Sequence, residues 1–150
     1  HHGPFLDVPT TYVEIGSDET KWGNVEAARA MADSLLNMVP AEGPVVIGVG
    51  GGHYAPRFTE VTLSKNVRFG HMIAKHVLDG KEDEDVLDMI EKAMRASGTS
   101  SAYVHKKSFS RPEARRLSEL LNGAGYEVLE GADLESSQSL PRSLSSESRA

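Results

Sequence analysis

The stretch VVIGVGGGHYAPRFTEV, Val45 to Val61, runs an apolar, β-branched segment into three consecutive glycines and then into His53, Tyr54, Pro56 and Arg57. VVIGV does not alternate with polar residues, which predicts a strand buried on both faces. Glycines directly after such a strand either permit a tight turn or let a ligand approach the bare main chain. These residues alone leave both readings open.

Working outward, Val25, Ala28, Ala32, Leu35, Leu36 and Val39 keep helical spacing behind Asn24, a suitable N-cap, and Pro40 stops the helix. TYVEIG, Thr11 to Gly16, alternates and predicts a strand, so that strand, helix and Val45 to Val49 suggest a βαβ unit. Arg57 to Ser64 fits strand or helix equally, and Val67 to about Met72 reads as a strand. Asp83 to Ser97 places Val86, Leu87, Ile90, Ala93 and Met94 on one stripe behind an acidic first turn, as a helix prefers. SAYVHK is a further strand, Ser110 and Glu113 have capping-box spacing before a helix closed by Gly123 and Gly125, and YEVLEG is a last strand. Strands alternating with helices predict an α/β fold, a three-layer α/β/α sandwich with a mostly parallel or mixed sheet. Residues 1–134 are expected to form a single α/β domain, followed by a Ser-rich disordered tail at 135–150.

The chain has 150 residues, 39% of them apolar, enough for one ordinary core. No apolar run approaches the roughly 20 residues of a membrane span, so no membrane partner is expected. Without cysteine there is neither a disulfide nor a thiolate ligand, and a cytoplasmic location is expected. The chain opens on His and not Met, which suggests a processed product or part of a longer polypeptide. The net charge of −6 argues against simple polyanion binding but hides segregation. Residues 53–76 carry four cations against Glu60, a net +3, and residues 105–116 carry five against Glu113, a net +4. If these stretches meet they could neutralise a few phosphates; otherwise they are solvated charge on separate faces.

A P-loop would need Gly-Lys-Ser/Thr at the end of the glycine run, and none follows. Gly50, Gly52 and Ala55 nominally supply a dinucleotide fingerprint, but Pro56 falls where the helix should begin and no acid follows about 20 residues on to hold a ribose. There is no G-x-S-x-G elbow and no thiol, so acyl chemistry here would use water. Main-chain N–H groups of Gly50 to His53 could cradle an oxyanion or carboxylate, with Arg57 as a clamp. Histidines at strand ends, together with Glu14 or Glu60, could complete a zinc site, although any one of them fits an ordinary structural role as well.

HHGP at His1 to Pro4, YVEIGS at Tyr12 to Ser17, GVGGGHYAPRFT at Gly48 to Thr59 and FGHMIAKH at Phe69 to His76 occur in order along the chain. Together they resemble the D-aminoacyl-tRNA deacylases of the archaeal and plant type, the third block being the most specific. The resemblance implies a phosphorylase/hydrolase-like three-layer fold and hydrolysis of the ester between a D-amino acid and the 3′ end of tRNA, which recycles mischarged tRNA. It implies that the chain matches the C-terminal part of longer family members, and it gives the basic segments a partner, the aminoacylated end of tRNA. Zinc is the implied cofactor, with His1, His2, His53 and His71 as candidate ligands. His53, Arg57 and Glu14 are the expected catalytic residues, His53 as base or zinc ligand. Gly50, Gly51, Gly52, Tyr54, Lys106 and Lys107 are the expected substrate contacts. An L-amino acid would be refused by collision with the loop backbone. The competing functions are a non-catalytic tRNA- or phosphate-binding α/β module and a zinc-dependent small-molecule hydrolase of similar fold.

Overall fold

A computed structural model describes residues 13–39 and 42–134. The chain divides into two compact units, His1–Pro40 and Ala41–Ala150. In the first, α1 (Val25–Leu36) starts where expected: the Asn24 side chain accepts a hydrogen bond from the Ala27 N–H. It ends at the Asn37 cap, and none of its residues is buried. The strand expected at Thr11 to Gly16 does not form over the described part, because Val13 to Gly16 are exposed and pair with no strand of the sheet. Alternation makes a strand only where a neighbour supplies the ladder. Thr11 and Tyr12 lie outside the described residues, as do His1, His2 and the serine-rich segment 135–150.

The second unit is an α/β layer structure around four parallel strands in the order β2-β1-β3-β4, namely β1 (Val45–Val49), β2 (Arg68–Ile73), β3 (Ser101–Val104) and β4 (Glu127–Leu129). The connections are α2 (Pro56–Ser64) between β1 and β2, α3 (Lys75–Leu78) and α4 (Asp83–Ser97) between β2 and β3, and α5 (Arg111–Gly123) between β3 and β4. The ambiguous segment from Arg57 is thus a helix. Its first residue is Pro56, a position proline tolerates because the N–H it lacks would have no intrahelical partner. Proline therefore does not oppose a helix after the glycine loop. The missing ribose acid still does oppose a dinucleotide site, since β2 ends on Ile73 followed by Ala74 and Lys75.

Helices cover both faces of the sheet. Ile47 and Val49 of β1, with Ala102 and Val104 of β3, pack against Val86, Ile90 and Met94 of α4 and Leu117 and Leu121 of α5. Val46 and Tyr103 point the other way, against Phe58 and Val61 of α2. A strand buried on both faces explains the unbroken apolar reading of Val45 to Val49. Gly48 serves this packing: a Cβ there would lie 2.9 Å from the Phe58 ring and 3.0 Å from Met72. Between Val46 and Gly48 the register with β2 shifts, so that two residues, Gly70 and His71, stand opposite Ile47.

Candidate active site

In the order β2-β1-β3-β4, the connection leaving β1 carries α2 to one face and the connection leaving β3 carries α5 to the other. The chain parts at the carboxyl ends of these adjacent strands, which is where open α/β sheets hold ligands. Gly50 to His53 leave β1 here, and His105 to Lys107 leave β3.

The glycine loop is tied to both neighbours. Gly50 N–H donates to Ile73 O at 2.8 Å, Lys75 N–H donates to Gly51 O at 3.0 Å, and Gly51 N–H donates to Ser108 Oγ at 2.9 Å. Ser108 in turn donates to His105 O at 2.7 Å, while His105 N–H donates to Val49 O at 2.8 Å. Two of the four N–H groups expected to form an anion cradle, those of Gly50 and Gly51, are thus spent inside the protein. Gly50 and Gly51 have positive φ, +98° and +75°, which explains glycine at both. Gly52 differs: its φ is not positive, and among the described residues nothing lies within 4 Å of an added Cβ. Ala55, which caps α2, holds a left-handed φ of +48°, a conformation that costs a non-glycine residue about 1–2 kcal/mol.

His53 and Tyr54 are exposed, with ring centroids 5.3 Å apart, and the His53 ring lies 6.4 Å from that of His76. His71, by contrast, turns to α4: Ser97 Oγ accepts from its main-chain N–H at 2.9 Å and meets Nδ1 at 3.0 Å. Glu14 is exposed and belongs to the amino-terminal unit. Among the described residues no three His, Asp or Glu side chains gather to hold a metal ion. His53 and His71 therefore do not by themselves fit a zinc centre.

Arg57 opens a pocket of about 540 Å³ that is also lined by Glu60, Tyr103, His105, Lys107 and Glu130. Its guanidinium donates to Glu60 Oε2 at 2.8 Å and to the Tyr103 hydroxyl at 3.2 Å, and these bonds raise its pKa further. Lys106 is paired with Glu130, and Lys107 lines the same pocket. The two basic stretches do meet here, accompanied by two acids.

His105 was not among the expected site residues. Its Nδ1 is buried with no hydrogen-bond partner and lies 3.3 Å from where a Gly51 Cβ would sit. Burial above all, then the Arg57 and Lys107 cations, hold its pKa below the usual imidazole range, against an opposing pull from Glu60. Ser108 and Tyr103 were missed as well. The available signal for His105 and Ser108 was position, directly after a parallel strand.

The family model described as D-aminoacyl-tRNA deacylase matches residues 1–129. The D-aminoacyl-tRNA deacylase of Methanococcoides burtonii is 39% identical over 135 residues, covering 89% of this chain and 27% of the relative. That of Methanothrix thermoacetophila is 40% identical over 134 residues, covering 86% of this chain and 49% of the relative. A crystal structure of a conserved protein of unknown function superposes with a TM-score of 0.62 at 33% identity, over 80% of this chain and 44% of that one. The chain thus spans less than half of the length of each of these proteins. The match of the family model over residues 1–129, together with relatives 39% and 40% identical over most of this chain, places the chain in the D-aminoacyl-tRNA deacylase family.

Proposed function

We propose that this chain contributes the site at which the ester of a D-aminoacyl-tRNA is hydrolysed, releasing free D-amino acid and tRNA. The observation that carries the proposal is the position of the most specific family block: Gly48 to Thr59 forms the end of β1, the glycine loop and the start of α2, at the ligand-binding edge of the sheet. A cytoplasmic location, where tRNA is charged, goes with it. No helix among the described residues is long and apolar enough to cross a membrane.

In this proposal the aminoacyl-adenosine lies along Gly50, Gly51 and Gly52, with Gly52 making the closest approach because among the described residues nothing lies within 4 Å of a Cβ placed there. Tyr54, 82% exposed, stacks on the terminal adenine, and Lys106 and Lys107 face phosphate. His53 orients the attacking water, and Arg57 stabilises the charge that develops on the carbonyl oxygen. Glu14 is assigned its carboxylate role on the YVEIGS block alone. Zinc rests on the family resemblance, with His1 and His2 as the candidate ligands beside His53 and His71.

The test is incubation with D- and L-tyrosyl-tRNA, with and without a chelator. The expected result is loss of the D-ester alone, slowed about 100-fold or more in His53→Ala. Equal loss of both esters would overturn the proposal. Tight tRNA binding without turnover would replace it with a binding module.

A further inference from the structure

The half-buried imidazole of His105, whose Nδ1 is fully covered, has a use beyond the roles assigned above. The ring sits between the glycine loop and the pocket of Arg57: Nδ1 faces Gly51, and the residue lines the pocket. Nδ1 is a buried side-chain atom without a hydrogen-bond partner, and with Nδ1 turned to Gly51 the opposite edge of the ring, with Nε2, is the one available to the pocket that His105 lines. An imidazolium here would carry a buried Nδ1–H with no acceptor, beside Arg57 and Lys107, with only Glu60 in compensation. A bare Nδ1 lone pair is the less costly arrangement, and it leaves the proton on Nε2. His105 is therefore poorly suited to accept a proton and well suited to donate a hydrogen bond while remaining neutral, as neutral imidazoles do toward carbonyl oxygens elsewhere.

We propose that His105 is a catalytic hydrogen-bond donor, its neutral Nε2–H aimed with Arg57 at the carbonyl oxygen of an aminoacyl ester. The inference rests on the deacylase function proposed above. The water oxygen bonds to the carbonyl carbon and the carbonyl π pair moves onto oxygen, where His105 and Arg57 stabilise it. Collapse then breaks the bond to the terminal ribose oxygen, which leaves with the proton given up by the water. His105 transfers no proton.

Two measurements test this. In the chain labelled with ¹⁵N-histidine, His105 should appear at pH 7 as the neutral ring protonated on Nε2; an Nδ1–H tautomer or an imidazolium overturns the proposal. With D-tyrosyl-tRNA, His105→Ala should lower kcat about 100-fold with little change in KM, as for removal of an oxyanion donor. His105→Gln, whose amide N–H reaches the Nε2 position, should stay within about tenfold of the unsubstituted chain, while His105→Asn, whose amide reaches only Nδ1, should resemble Ala. Equal rescue by Gln and Asn, or a kcat within threefold in a folded Ala variant, indicates a structural ring and overturns the proposal while leaving the deacylase function in place. If the unsubstituted chain has no turnover, the proposed function fails for this chain and His105 loses its catalytic role with it.

Discussion

An alanine methyl at Gly50 would lie 2.5 Å from the Phe109 ring and 2.6 Å from Ser108 Oγ, and one at Gly51 would lie 3.3 Å from His105 Nδ1; both positions also demand a positive φ. Packing and backbone geometry thus explain these two glycines without any ligand. They do not explain Gly52, where a methyl meets nothing and the backbone asks for no special conformation. The substitutions should therefore separate. Gly50→Ala is expected to lower stability by at least about 1–3 kcal/mol, through strain and overpacking. Gly52→Ala should leave stability unchanged or raise it by up to about 1 kcal/mol, by restricting the unfolded chain, yet slow hydrolysis of the D-ester. Urea midpoints and initial rates on the same two variants decide it, and a Gly52→Ala protein with full activity would remove the reason to place substrate against that residue. The sequence pattern showed three glycines after a buried strand, but could not divide them. The division depends on Ser108, Phe109 and His105, about 55 residues further along the chain, arriving beneath the loop.

Elements were legible where a local signal sufficed. Asn24 starts α1 with its side chain on the Ala27 N–H, and Ser110 and Glu113 form the reciprocal capping box of α5. The stripe of α4 begins and ends where its spacing places it, at Asp83 and Ser97. Legibility failed where the deciding contact was tertiary. Arg57 to Ser64 is helical because Phe58 and Val61 bury against the Val46 face of β1, and only the sheet defines that face. Its anchor is the gap left by Gly48, into which the Phe58 ring fits. Gly48→Ala should therefore cost about 1–3 kcal/mol by forcing that ring and Met72 off their positions. Replacing Phe58 with Leu in the same chain should recover part of the loss, because the smaller side chain vacates the space. A thermal melt of the single and double variants measures the coupling. Simple additivity would show that Phe58 does not read the missing Cβ.

At the scale of the whole molecule, the acidic total and the proposed nucleic-acid partner are reconciled by how charge is distributed, and that distribution limits how strongly tRNA can be held. Cations from two distant segments, Arg57 and Lys106 with Lys107, converge on one pocket. Counting them along the chain overstates the field they produce, because Glu60 bonds Arg57 and Glu130 bonds Lys106. Elsewhere in the basic segments Arg115 is paired with Glu119, Arg116 with Asp83, and Lys75 with Asp79, while Lys65 and Arg68 donate to main-chain oxygens. The sign of each segment was legible in sequence but not all of these pairings: Glu60, Asp79 and Glu119 lie within a helical turn of their cations, whereas Glu130 and Asp83 are brought to theirs only by the fold. Under the proposed function this pocket would engage one or two phosphates of a single-stranded 3′ end, each contributing about −0.7 to the slope of log K against log salt. The expected slope for binding of deacylated tRNA is therefore about −0.7 to −1.4, far from that of a broad basic surface. Lys107→Ala should reduce its magnitude by about 0.7, whereas Arg115→Ala should leave it unchanged. A slope steeper than about −4, or one insensitive to Lys107, would place the phosphate contacts outside this pocket.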